Sequence, residues 1–168
     1  MSSTNRGAIR SPRDFYATPH YTVASLLSVL DTERLSKMTF GEPCRGTGAI
    51  ADKISAAHHH YAEISEGIDY LITPMAADII ITNPPFSLAL EFLQKSLREA
   101  QTVIYLLRLN FLGSQARHEF WKRNRPSHVL VLSKRPSFCG GGSDSTEYAW
   151  FCWDGLGLVL ADPGVHVL

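Results

Sequence analysis

No apolar run in this sequence approaches the roughly 20 residues a helix needs to cross a bilayer, and residues 1–13 are rich in Ser, Arg and Asn without the apolar stretch of a secretory signal. A cytoplasmic protein is therefore expected. Cysteine is scarce: Cys44, Cys139 and Cys152 show no C-x-x-C spacing, which argues against a disulfide framework or a zinc knuckle and leaves reduced thiols. The run His58-His59-His60 has no carboxylate or thiol at ligand spacing, and consecutive side chains diverge, so no metal is expected. Repeats of solenoid or propeller period are missing. Net charge is missing as well, with 16 basic against 16 acidic residues.

What is present is a globular composition, with 45% hydrophobic residues in a chain of 168, enough for one core. One domain at residues 14–168 is expected behind a flexible arm at residues 1–13. The zero total hides a basic sector: Arg108, Arg117, Lys122, Arg123, Arg125, Lys134 and Arg135 share a stretch whose one acid is Glu119. Asymmetry of this kind points to a polyanion, and these side chains are candidate phosphate contacts. Phe138 follows at the entrance to a glycine-rich loop over residues 137–145, where it would hold a flipped base or pack a hinge.

Periodicity alternates between strand and helix. Residues 22–30 carry Val23, Leu26, Leu27 and Leu30 at helical spacing. Residues 38–40 read as a strand, and Ala49, Ile50, Lys53, Ile54 and Ala57 as a helix over 49–57. Residues 61–64 form a brief strand, 78–82 and 102–109 read as strands buried on both faces, and 87–100 as the helix between them. Beyond these, 114–123 reads as a helix, and 128–132 and 148–153 as a closing antiparallel pair in which Tyr148, Trp150 and Trp153 are core. The alternation predicts an α/β fold with a mostly parallel, doubly wound sheet and a C-terminal antiparallel hairpin.

Two motifs sit at strand ends, where open α/β sheets bind ligands. The first is Glu42-Pro43-Cys44-Arg45-Gly46-Thr47-Gly48, whose glycines let backbone approach a ligand. Ala51 replaces the third glycine of a dinucleotide fingerprint, a tolerated variant, so spacing alone leaves a nicotinamide cofactor open. Glu63, at the end of the next strand, is placed to accept from both hydroxyls of a ribose, with Glu66 as a neighbouring candidate. The second motif is Asn83-Pro84-Pro85-Phe86. Its prolines stiffen the loop and remove two N–H donors. The Asn83 side-chain oxygen and the Pro84 carbonyl would hold both hydrogens of an exocyclic purine amine, aiming its lone pair at an electrophile. Phe86 would stack on the flipped base.

Together these motifs resemble the class I S-adenosylmethionine-dependent amino-methyltransferases, specifically the N6-adenine DNA methyltransferases with an Asn-Pro-Pro-Phe motif. Asp14-Phe15-Tyr16-Ala17-Thr18-Pro19 resembles that family's N-terminal cofactor motif, and the downstream half, through Glu147-Tyr148-Ala149-Trp150-Phe151, is similar to short phage and prophage members. The resemblance implies a Rossmann-like fold, S-adenosylmethionine as cofactor, DNA as partner in double- or single-stranded form, and a bacterial or phage-infected cell. It implies that Tyr16, Thr18 and Pro19 contact the methionine part of the cofactor and that Glu42, Pro43, Cys44, Gly46 and Gly48 line it. Glu63 would hold the ribose, Asp69 and Tyr70 would border the cofactor adenine, and Asn83, Pro84, Pro85 and Phe86 would act on the acceptor.

Larger relatives carry a separate target-recognition region, for which this sequence has no stretch between its two motif-bearing halves. Relaxed or short specificity is expected. RNA adenine, guanine N2 and protein glutamine are alternative acceptors for an Asn-Pro-Pro-aromatic loop, and a nucleic-acid-binding module without turnover is the non-enzymatic alternative.

Overall fold

The computed structural model describes residues 17–138 and 145–168. The arm at 1–13, Tyr16, Cys139 and most of the 137–145 loop lie outside the described residues. Four helices, α1 (His20–Leu27), α2 (Thr32–Leu35), α3 (Ala89–Glu99) and α4 (His118–Arg123), accompany seven strands among the described residues. These strands are β1 (Thr39–Glu42), β2 (His58–Tyr61), β3 (Ile79–Thr82), β4 (Thr102–Arg108), β5 (His128–Val131), β6 (Tyr148–Asp154) and β7 (Gly164–Val167). They make one sheet in the order β2-β1-β3-β4-β6-β5-β7.

The centre of the sheet follows from its composition. β3 (Ile-Ile-Ile-Thr) and the apolar part of β4 are β-branched and aliphatic, and every residue of both except Arg108 is buried. Strand side chains alternate between faces. Ile79, Ile81, Ile104, Leu106 and Trp150 therefore enter one core layer with Val23 and Leu26 of α1, while Ile80, Val103, Tyr105 and Phe151 enter the other with Phe92 and Leu93 of α3. Helices cover both faces, as the doubly wound expectation required.

β2, β1, β3 and β4 run parallel, and β6 pairs antiparallel with β4 and β5. The closing hairpin is thus present. The register sets Arg108 opposite Tyr148, so the start of β6 shares an edge of the sheet with the carboxyl ends of β1, β2, β3 and β4.

Several local expectations are corrected. The helix expected over 49–57 is a single 3-10 turn, Ala51–Lys53. Ile54 is already extended, and the Met38 carbonyl accepts the Ala57 N–H at 3.0 Å, so sheet pairing captures the backbone that helix propensity would have used. The first helix begins at His20 and stops at Leu27, because Leu30 makes a β-bridge with Val159. The helix expected over 114–123 is a 3-10 turn, Gln115–Arg117, followed by the short α4. β7 was not expected. It pairs parallel with β5 at an edge and is only four residues long, and its alternating Val165 and Val167 face solvent, so burial does not support it as it does the other strands. Tyr148 and Trp150 are core as expected, whereas Trp153 is half-buried.

Candidate active site

β1 ends at Glu42 and β3 at Thr82, two adjacent parallel strands, so the glycine turn and the diproline corner leave the sheet side by side. Both face one cavity of about 1060 Å³. Thr18, Glu42, Pro43, Cys44, Gly46, Glu63, Asp69, Tyr70, Asn83, Pro84, Pro85 and Phe86 all line it.

Cys44 ties the two motifs together. Its sulfur lies 2.9 Å from the Thr82 hydroxyl and donates to the Asn83 carbonyl at 3.3 Å. Burial pushes the thiol far above its ordinary range, so it remains a neutral donor. Glu63 performs a similar task from β2. One carboxylate oxygen accepts the Gly46 N–H at 2.7 Å, and the other accepts from the Ser65 N–H and hydroxyl at 3.0 and 2.7 Å. The carboxylate expected to face a ribose therefore also clamps the glycine turn to the end of the neighbouring strand.

Gly46 and Gly48 have φ of 53° and 84°. Gly48 does not line the cavity. A side chain there would sit 2.8 Å from the Asp52 carboxylate in a left-handed conformation, so its glycine serves the turn and not the ligand space. Pro19 also lies outside the lining. It caps α1, and its carbonyl accepts the Thr22 N–H at 3.1 Å and hydroxyl at 2.7 Å.

Glu42 is 2% exposed, and Ala51 N–H donates to its Oε2 at 3.0 Å. Burial pushes the carboxyl up to about 8; that hydrogen bond and Arg45 oppose the shift, and Asp52 and Glu63 reinforce it. A positive charge brought beside this buried carboxyl would favour its ionised form. At the other end of the cavity the Tyr70 hydroxyl bonds Ser96 at 2.9 Å, and Ser96 bonds Tyr105 at 2.7 Å. Asp69 Oδ1 accepts the Leu71 N–H at 2.9 Å.

At the diproline corner the carbonyls divide their work. Asn83 O accepts from Cys44, and Pro85 O accepts the Leu88 N–H at 3.0 Å, while no hydrogen bond to the Pro84 carbonyl is found among the described residues. Asn83 Nδ2 donates to the Thr18 hydroxyl at 3.2 Å, which turns Oδ1 the other way. Phe86 opens a 3-10 turn. The Arg108 guanidinium lies over its ring at 4.5 Å, and the Phe138 and Tyr148 rings lie 6.4 and 6.0 Å away.

The basic sector does not form one surface. Arg108, Lys134 and Arg135 lie at the site edge, where Lys134 covers the Tyr21 ring at 4.6 Å and Arg135 pairs with Glu147. Arg123 and Arg125 lie at the opposite edge: the Asn124 carbonyl accepts the Trp153 indole N–H at 3.0 Å, and Trp153 pairs with Val103 near the start of β4. Lys122 pairs with Glu119 at 2.9 Å, and Arg117 donates from Nε to the Phe111 carbonyl at 2.8 Å and from one terminal nitrogen to the Asn110 carbonyl at 3.4 Å. Sequence proximity misleads here because α4 carries the chain from one end of the sheet to the other. Arg45, Ile64, Ile68 and Leu71 also line the cavity and were not anticipated. Arg45, lying within the glycine motif, is the one that position alone could have suggested.

No family profile and no curated protein matches the chain. Solved structures do. A candidate RNA methyltransferase from Pyrococcus horikoshii has a TM-score of 0.69 at 16% identity, over 89% of this chain and 92% of that one. A candidate class I S-adenosylmethionine-dependent methyltransferase from Listeria monocytogenes has a TM-score of 0.67 at 12% identity, over 94% and 67%. A modification subunit of a candidate type I restriction enzyme from Vibrio vulnificus has a TM-score of 0.58 at 15% identity, over 91% of this chain and 47% of that one. The fold is therefore the Rossmann-like fold of these proteins.

Proposed function

We propose that the chain binds S-adenosylmethionine and transfers its methyl group to the N6 amine of adenine in DNA, by flipping the base and transferring directly. One observation carries the reading: the glycine turn and the Asn83-Pro84-Pro85-Phe86 corner line the same cavity and are joined through Cys44.

The cavity fits the cofactor. Glu42 is a buried acid suited to the cationic amino group of a methionine moiety, the Gly46 backbone approaches without a Cβ, and Asp69 and Tyr70 provide a far wall for an adenine. When bound, the cofactor supplies an activated methyl on a sulfonium. Pro43 and Cys44 would complete the methionine end, and Glu63 would hold the ribose. The Asn83 Oδ1 and the Pro84 carbonyl would each accept one hydrogen of the amine, drawing its lone pair out of ring conjugation toward the methyl donor, and the proton the amine loses on transfer would pass to solvent. Phe86 holds the base by stacking. Positioning supplies the rate, and no strongly basic residue is needed before transfer.

Lys134 and Arg135 stand at the edge where a backbone entering the cavity would pass, and they are the supported phosphate candidates. Short or relaxed sequence choice belongs to this reading, since most protein–DNA hydrogen bonds position the backbone and few read bases. RNA adenine is the second reading, favoured by the likeness to the Pyrococcus protein.

The test is incubation of the protein with adenosylmethionine and duplex DNA, single-stranded DNA, RNA and protein in parallel. Mass spectrometry of the digests should show N6-methyladenine from DNA. Methyl transfer confined to RNA or protein would replace the acceptor, and absence of transfer to all of them would end the enzymatic reading.

A further inference from the structure

Phe86 lines the cavity, whereas Arg108, Phe138 and Tyr148 do not; they pack against its ring. The Arg108 guanidinium covers the ring at 4.5 Å and its Nε donates to the Tyr148 hydroxyl at 2.9 Å. Tyr148 is fully buried and lies opposite Arg108 across the β4–β6 ladder, so the guanidinium is anchored by a side chain that has no freedom of its own. Phe138 closes the group, 5.1 Å from Tyr148 and 6.4 Å from Phe86 by ring centroids.

From this stack we infer that Arg108 is a positioning residue which polarises and orients Phe86 so that its cavity face takes a flat, electron-rich purine. The inference rests on the proposed function and deepens it by naming the acceptor class. An aromatic ring carries negative charge on both faces. A cation on one face draws that density toward itself and leaves the opposite face less negative. That face then stacks well on a neutral purine and gains less from a glutamine side chain. The arrangement also assigns Arg108 a task other than the phosphate contact expected from the basic sector, and the two tasks differ measurably.

The experiment uses the full chain with sinefungin, a stable cofactor analogue, and a short single-stranded oligonucleotide carrying 2-aminopurine in place of adenine. Stacking on Phe86 changes the 2-aminopurine fluorescence, and Phe86→Ala sets the baseline. Arg108→Met, similar in length but neutral, should bind the probe about fivefold more weakly and lose most of the stacking signal. Arg108→Lys, which keeps the charge without the planar fork, should fall between. Sinefungin affinity should stay near wild type, whereas the melting temperature of Arg108→Met should fall by a few degrees, because the substitution removes the donor to the buried Tyr148 hydroxyl. The decisive reading is salt dependence, because loss of a phosphate contact lowers the log–log slope by about one. An unchanged slope with a lost signal supports the inference.

A reduced slope with the signal intact overturns it, as does a wild-type signal in Arg108→Met or no signal in the wild type. Methyl transfer is read in parallel on DNA, RNA and protein. A stacking signal without transfer to any of them removes the proposed function and leaves the ring's role standing, whereas transfer without a signal does the reverse.

Discussion

The Thr18 hydroxyl accepts a hydrogen bond from Asn83 Nδ2 at 3.2 Å, joining the segment before α1 to the corner after β3. An amide offers a donor on one side and an acceptor on the other, so this bond decides which of them faces the acceptor amine. A reversed amide would present a donor to a donor. Thr18→Val is therefore expected to lower kcat roughly tenfold, the effect of losing one hydrogen bond of about 1.4 kcal/mol. Thr18→Ser should restore most of it. Steady-state kinetics on both variants make the check, and equal loss in Ser and Val would refute orientation by the hydroxyl.

Asn83→Ala and Phe86→Ala remove groups assigned to the acceptor. Methyl transfer should drop by at least about a hundredfold in Asn83→Ala, because amine positioning carries most of the rate. Adenosylmethionine binding, measured calorimetrically, should stay largely intact in both. Joint loss of binding and transfer would show that the roles are misassigned.

Glu42 makes the site sensitive to pH. Its carboxyl is pushed up to about 8 by burial, so near neutral pH it is protonated in the folded chain and ionised in the unfolded one. Folding then becomes less favourable as pH rises from the ordinary carboxyl range to about 8, since the native state holds the extra proton across that window. A cationic ligand favours the ionised form, so cofactor binding near neutral pH should release a proton. Calorimetry in two buffers of different ionisation enthalpy reads the release directly. Glu42→Gln should abolish it and flatten the fall of Tm with pH, and proton uptake in the wild type would contradict the assignment.

Cys44→Ala breaks the link between the two motif loops. The expected cost is about 1–3 kcal/mol from two lost polar contacts at a half-buried position. Denaturant unfolding would measure it, with a weaker KM for adenosylmethionine as the accompanying sign of a loosened cavity. Cys44→Ser, which keeps the hydrogen bonds, should recover part of the loss.

The split of the basic residues predicts a split in phenotype. Lys134→Ala and Arg135→Ala, at the site edge, should weaken DNA binding and each reduce its salt dependence by about one in slope. Arg123→Ala and Arg125→Ala, at the far edge, should leave both nearly unchanged. Fluorescence anisotropy across a salt series distinguishes the pairs, and a stronger effect from the far-edge pair would place the nucleic acid on the other end of the sheet.

The strand-helix alternation, the two buried central strands, the closing hairpin and both motif loops were legible in the sequence, because burial on two faces and tight turns at strand ends impose local composition. The structure alone decided matters that depend on which distant segments meet. Helix-compatible residues 54–57 became extended because the Met38 carbonyl was there to pair with Ala57, and β7 formed because β5 offered an edge. A seemingly continuous basic sector was divided between opposite ends of the sheet by the passage of α4. Arg108, which charge alone marks as a phosphate contact, packs on the Phe86 ring because antiparallel register sets it opposite a buried tyrosine. Local patterns report what a residue prefers, whereas register and crossover determine what it touches, and no single stretch of chain encodes that.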